Sequence, residues 1–289
     1  MTGTPHLFTF GHGYSAQALT RLLRPQGWAV TGTTRSADTA AAMAADGIMA
    51  LLPGDDPAPA LRRATHLLVS AAPTAEGDPA IAALRPALQE VAPDLSWIGY
   101  LSTTGVYGDH GGAWVDEATP LTPATQRGQM RVAAEAEWQA LALATGAPLH
   151  IFRLAGIYGP GRGPFAKVRA GTARQIIKPG QVFSRIHVED IAQVLAASIA
   201  RPDPGAIYNV CDNDPAPPQD VLAHAARLLG LPEPPRVDFA TAEMTAMARS
   251  FYAESKKVRN DRMLRDLGVH LKYPDYRAGL AALLALEDR

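Results

Sequence analysis

The chain has 289 residues, 47% hydrophobic and 19% charged. That balance suits a folded domain, not a disordered chain, and the length allows one large α/β domain or a core with a small second lobe. A formal net charge of −1 implies no basic face for nucleic acid, no apolar run reaches the roughly 18 residues of a membrane span, and the single cysteine, Cys211, excludes an intrachain disulfide or a cysteine-based zinc cluster.

The first element is a short strand, Leu7–Phe10, that runs into Gly11-His12-Gly13-Tyr14-Ser15-Ala16. A helix-like segment, Ala16 to Arg24, follows. Gly-x-Gly-x-x-Ala between a strand and a helix is the turn of a dinucleotide site. Gly11 permits the tight turn, Gly13 lets the backbone approach a pyrophosphate, and Ala16 is small enough for the helix to pack on the strand. The helix N-terminus then offers N–H groups and a positive dipole end to phosphates.

The second strand is Ala29–Thr33, with Thr34-Arg35-Ser36 at its exit. An NAD-preferring site places an acid about 20 residues past the glycines. Here the exit carries no acid, and Asp38 comes too late. Arg35 suits a 2′-phosphate through charge-assisted hydrogen bonds and stacking on adenine, with hydroxyls from Thr34 and Ser36 beside it. The expected cofactor is therefore NADP(H), with NAD(H) the lesser alternative. The plainer reading of Arg35 is a solvated loop charge.

Further strand candidates are Ile48–Leu51, His66–Ser70, Ser96–Leu101 and His150–Leu154, separated by helical segments such as Ala37–Ala45 and Pro79–Val91. Gln129–Thr145 reads as a long helix ended by Gly146. Strand–helix alternation predicts an α/β fold, a Rossmann-like doubly wound parallel sheet with its ligand at the carboxyl ends of the strands. Prolines become dense from about residue 203, which suggests a small lobe of short helices and turns. The expected division is a dinucleotide-binding domain over 1–155 plus 183–203, and a substrate lobe over 156–182 plus 204–289. Cys211 reads as packing at the end of a buried strand. The start of the chain lacks the basic and long apolar regions of a signal peptide, so the expected location is the cytoplasm. The histidines show no metal-ligand spacing, and no metal is expected.

Three runs follow the glycine turn: Ser102-Thr103-Thr104-Gly105-Val106-Tyr107-Gly108, Ile157-Tyr158-Gly159-Pro160-Gly161-Arg162, and Ile186-His187-Val188-Glu189-Asp190-Ile191. In this order they resemble the extended short-chain dehydrogenase/reductase family, whose best-known members are nucleotide-sugar epimerases and dehydratases. The likeness extends from about Leu7 to Asp212. The ending, with Glu254-Ser255-Lys256-Lys257-Val258, Leu267-Gly268, Tyr273-Pro274 and Tyr276, looks like an atypical branch of it. The resemblance implies that Ala71 and Ala72 line the cofactor and that Thr103 orients a substrate oxygen. It also implies that His187 is structural.

The family pairs that Thr with Tyr-x-x-x-Lys on the next long helix, where the tyrosine moves the proton and the lysine holds the nicotinamide ribose. Here Arg127 stands in the tyrosine's place and Arg131 in the lysine's. Arg131 keeps a cation that could hold a ribose hydroxyl, or it forms a surface i, i+4 pair with Glu135. Arg127 cannot serve as the acid/base, because guanidinium stays protonated in proteins. Tyr107 is the substitute acid/base candidate nearest in sequence; otherwise it is packing. Asp109, His110, Asp116 and Glu117 form a polar loop that meets substrate or solvent. Two functions stay open. One is an oxidoreductase or epimerase/dehydratase-like enzyme for a small molecule, a nucleotide-sugar or a carbonyl compound. The other is a non-catalytic dinucleotide-binding redox sensor. By family analogy the helix from Gln129 could contribute to a homodimer face.

Overall fold

The computed structural model describes residues 4–287. The first half of the chain runs β1 (His6–Phe10), α1 (Tyr14–Leu23), β2 (Ala29–Thr33), α2 (Ala37–Ala45), β3 (Met49–Leu51), α3 (Ala58–Arg63), β4 (His66–Val69), α4 (Pro79–Val91) and β5 (Trp97–Thr103). It continues through β6 (Trp114–Val115), α5 (Gln126–Thr145), β7 (Leu149–Leu154), β8 (Gly156–Tyr158), α6 (Phe165–Arg169), β9 (Gln175–Ile177), β10 (Arg185–His187), α7 (Val188–Ala200) and β11 (Ile207–Val210). The last elements are α8 (Pro218–Leu228), β12 (Arg236–Asp238), α9 (Ala246–Phe251), β13 (Lys257–Val258), α10 (Asp261–Leu267) and α11 (Tyr276–Glu287).

Seven strands form one parallel sheet in the order β11-β7-β5-β4-β1-β2-β3. The strands are apolar on both sides, as a sheet covered by helices on both faces requires. Alternate residues divide between the two faces. Leu7, Leu68, Trp97 and Phe152 join a core with Leu19 of α1 and Ile191 and Leu195 of α7. Their neighbours Phe8, Leu67, Ile98 and Ile151 join a second core with Leu61 of α3, Leu84 of α4 and Trp138 of α5. The strand order reverses between β1 and β4, both paired parallel. Their carboxyl ends, the Gly11 turn and Ser70–Ala72, thus frame the crevice where doubly wound sheets take ligands.

Two sequence expectations about the boundaries shift. The sheet runs past residue 203, because β11 pairs with β7 as its edge strand, Ile207 opposite Ile151. Within 183–203, β10 pairs with β8 in a separate two-stranded ribbon, while α7 packs on α1 against the main sheet. The cause is a crossover: the chain leaves the sheet at Ala155, forms β8 and β10, and returns only at Ile207. A small third core forms where Tyr158, Phe165 and Val168 meet Ala225, Ala226, Tyr276, Leu280 and Leu283. Cys211 is fully buried. Its thiol donates to the Val258 carbonyl at 3.2 Å, and burial pushes its pKa well up.

Candidate active site

The glycine turn is held by β2. Gly11 sits at φ +89°, and a Cβ there would lie 2.9 Å from the Ala71 nitrogen. Only glycine fits, for both reasons. Its N–H donates to Thr33 Oγ1 at 2.7 Å. Gly13 opens α1, and a Cβ on it would meet nothing closer than Ser70 Oγ at 3.9 Å. The space over Gly13 is open on the protein's side. No side chain caps α1, so the N–H groups of Tyr14, Ser15 and Ala16 are left to another acceptor. The other long helices on the sheet do not share this. Ser36 caps α2, Asp78 caps α4, Thr125 caps α5, and His187 caps α7 through Nδ1.

Ser15 and Ala16 have buried side chains, so they face this opening with backbone alone. Tyr14 reaches elsewhere: its hydroxyl donates to the Pro160 carbonyl at 2.9 Å, and the Arg162 guanidinium lies 5.1 Å over its ring. His12 bonds within the turn. Its N–H donates to the Thr33 carbonyl at 2.8 Å, and its buried Nδ1 pairs with Thr9 Oγ1 at 2.9 Å. Burial holds its pKa down at about 4. Its N–H and Nδ1 are thus committed to β2 and β1.

At the β2 exit Arg35 is exposed and forms no ion pair among the described residues. Thr34 Oγ1 accepts from the Ser36 N–H at 3.3 Å, and Ser36 Oγ from the Thr39 N–H at 3.2 Å. Both hydroxyls shape the turn and keep their own protons to donate. Ala71 is pinned by its N–H to the Phe10 carbonyl, and Ala72 lines the next cavity.

That cavity is a cleft of about 790 Å³ beyond the carboxyl ends of β4, β5 and β7. Thr103, Arg127, Arg131, Arg185, Glu254 and Lys256 supply its polar wall. Thr103 Oγ1 accepts from the Gly105 N–H at 3.2 Å. Arg131 makes no pair with Glu135. Its Nη1 donates to Tyr100 Oη at 2.9 Å and to the Leu101 carbonyl at 2.8 Å. Arg127 donates to Ser250 Oγ at 3.3 Å and stacks 5.0 Å over Phe251.

Of the two sequence readings of Tyr107, acid/base candidate or packing, its place in the structure fits packing. It is fully buried and absent from the cleft wall. Its hydroxyl donates to Asn209 Oδ1 at 2.7 Å and accepts from Arg153 Nη1 at 3.0 Å. Burial raises its pKa to about 12. Arg153 in turn pairs with Glu135 at 2.7 Å, both side chains nearly inaccessible, and Glu135 also accepts from Ser102. This network fixes the turn after β5. So does Gly108 at φ +74°, where a Cβ would lie 1.8 Å from the Thr122 carbonyl oxygen. The polar loop beyond is tied down too: Asp109 accepts from the Ser255 N–H and Glu117 from the Asn209 N–H.

The sequence reading missed Glu254 and Lys256 as cleft residues. Lys256 Nζ donates to the Gly108 carbonyl at 2.7 Å and to Glu254 Oε2 at 2.6 Å. Glu254 Oε1 is buried with no protein partner. The available signal was the Glu254-Ser255-Lys256-Lys257-Val258 run, distinctive but about 150 residues from Thr103.

A doubly wound sheet with a glycine turn at its switch point and a cleft beside it defines a dinucleotide-fold protein of the dehydrogenase type. The model of the NAD dependent epimerase/dehydratase family matches residues 81–211. The chain is 31% identical over 280 residues to protein YeeZ of Escherichia coli (strain K12), covering 92% of this chain and 95% of the relative. A solved structure of a conserved protein of unknown function from Silicibacter pomeroyi DSS is 61% identical, with a TM-score of 0.93 over 99% of this chain and 100% of that one. A Methylobacillus flagellatus structure, provisionally described as an NAD-dependent epimerase/dehydratase, is 29% identical with a TM-score of 0.74 over 100% of both chains. The chain belongs to the NAD-dependent epimerase/dehydratase family, of the extended short-chain dehydrogenase/reductase kind. Among the described residues, no helix is long and apolar enough to cross a membrane.

Proposed function

We propose that this protein is an NADP(H)-binding oxidoreductase acting on a small molecule in the 790 Å³ cleft. The observation that carries the cofactor reading is the open N-terminus of α1 at the sheet's switch point, against four capped helices on the same sheet. The N–H groups of Tyr14, Ser15 and Ala16 would receive the pyrophosphate, with Gly13 leaving room for it. Arg35 would bind the 2′-phosphate, helped by the hydroxyl protons of Thr34 and Ser36. Ala71 and Ala72 would line the path between the two sites.

When bound, the nicotinamide supplies hydride transfer. The chain supplies the rest. Thr103 would orient the substrate oxygen. Arg131, rigid on Tyr100 and Leu101, would hold a ribose hydroxyl. Among the titratable groups on the cleft wall, Lys256 and Glu254 are the pair able to move a proton, since the arginines stay protonated and Tyr158 turns its hydroxyl to the Asp275 carbonyl at 3.3 Å. Lys256 would donate to the substrate oxygen. Glu254 Oε1, buried and unpartnered, would accept from a substrate hydroxyl.

The test is a calorimetric titration with NADPH and NADH, beside Arg35→Ala. Preferential NADPH binding that vanishes in the variant is the expected result. Equal binding of both would end the 2′-phosphate assignment, and binding of neither would end the cofactor reading. A second reading, a non-catalytic redox sensor, is favoured by Arg127 in the tyrosine's place and the burial of Tyr107. NADPH binding with no consumption across carbonyl and nucleotide-sugar substrates would select it.

A further inference from the structure

The cleft's cations are unequally occupied. Arg131 is committed to Tyr100 Oη and the Leu101 carbonyl. Arg185 is committed to the carbonyls of Phe183 and Ala216 at 2.8 and 2.9 Å. Lys256 holds the Gly108 carbonyl and Glu254. Arg127 makes one hydrogen bond, at 3.3 Å, to a serine hydroxyl on α9. Its guanidinium carries five donors in a planar fork and is exposed, so more of its capacity is unspent than in Arg131 or Arg185, each of which makes two hydrogen bonds through Nη1. The one carboxylate on the cleft wall, Glu254, is already paired. Arg127 also lies in the first turn of α5, whose positive dipole end opens on the cleft. The cleft walls are mostly apolar, with Met130, Ile157, Val182, Phe183, Phe251 and Val258 among them.

We propose that Arg127 seats an oxyanion of the substrate, a carboxylate or a phosphate, and that the cleft takes a small acid with a largely apolar body. The inference rests on the reading of this cleft as the substrate site. A fork of donors matches either oxyanion in two parallel hydrogen bonds. Because guanidinium gives up no proton, the group it holds is an anchor, and the reacting carbon lies farther along the cleft toward Thr103. Arg127's present partner stands aside at small cost, since α9 has no buried residue.

The experiment titrates the protein with benzoate and with phenyl phosphate, with and without saturating NADP⁺, using benzamide as the uncharged control. At least one acid is expected to bind saturably while benzamide does not. Arg127→Gln should weaken that binding about tenfold or more, on the scale of charge-assisted hydrogen bonds. Arg127→Lys, which keeps the charge and loses the fork, should fall between. Ser250→Ala should bind as well as the native protein or better, because it frees the guanidinium. Benzoate alone binding assigns a carboxylate site, and phenyl phosphate alone a phosphate site. Binding of neither acid, or equal binding by a folded Arg127→Gln protein, overturns the proposal. NADP⁺ titration of the same variants separates the two readings: loss of oxyanion binding with intact NADP⁺ binding touches Arg127 alone, whereas failure of NADP⁺ to bind the native protein touches the cofactor reading alone.

Discussion

Successive turns along one stripe of α5 put charged side chains to opposite uses. Arg127 and Arg131 face the cleft with hydrogen bonds to neutral groups. One turn on, Glu135 faces inward and closes a buried pair with Arg153. A buried pair tolerates no loss of one partner, whereas a cation at a cleft can be changed with little harm to folding. The helix thus anchors the fold where this stripe enters the core and leaves its N-terminal turns chemically adjustable, which is how a family motif can be rewritten here without loss of the architecture.

The comparison is broken most forcefully at Glu135. Glu135→Ala should cost about 3–5 kcal/mol in urea unfolding, because Arg153 would be left buried without its counter-ion. A loss below about 1 kcal/mol would mean that the pair does not hold the helix. Asp212 extends the contrast to a second buried carboxyl. It accepts from the Asp214 N–H at 3.2 Å, Oδ2 has no partner, and burial raises its pKa to about 8. The unfolded value is about 4. Between these values the folded state keeps a proton that the unfolded state releases, so this group's contribution to stability falls as pH rises. His12, His66 and His187, held down at about 4 by burial, act in the other direction and remove stability as pH falls below about 6.5. Stability should peak near neutrality and lose about 2 kcal/mol from pH 6.5 to 8 through Asp212. Asp212→Asn should flatten that alkaline arm in thermal melts, and an unchanged arm would remove Asp212 as its source.

Smaller effects sharpen the division. Tyr107→Phe should cost about 1–3 kcal/mol by stranding Asn209 and one Arg153 donor, with NADPH affinity unchanged; a loss of affinity without a loss of stability would return Tyr107 to the site. Arg131→Ala should cost about 1 kcal/mol in stability yet weaken NADPH binding measurably in calorimetry. Unchanged binding would make Arg131 a structural strut for the end of β5.

The contrast also explains what could be read in advance. Ala29–Thr33, Ala37–Ala45 and Pro79–Val91 were legible to the residue, because alternation, caps and small residues are local signals. Arg127 and Arg131 were legible as substitutions because the spacing on one helix is local too. Tyr107 was not. Its burial depends on Arg153, Asn209 and Glu135, which arrive from three other elements. Lys256 and Glu254 reach the cleft through long-range hydrogen bonds to the Gly108 turn and the 178–184 segment, and no periodicity reports such a meeting. The domain boundary slipped for a related reason: β11 looks like lobe by composition and is sheet by pairing.

That late strand has a consequence for how the chain is made. When synthesis reaches Ala155, six of the seven sheet strands exist, and β7 stands as an edge with its outer hydrogen bonds open. Fifty-odd residues must follow before Ile207–Val210 covers it. An unpaired strand edge is a template for pairing with another chain, so translation through this interval is the vulnerable stage. A chain ending near residue 203 would keep the glycine turn and the first strands yet be prone to aggregate. The final strand thus completes the sheet and also shields it from its neighbours on the ribosome.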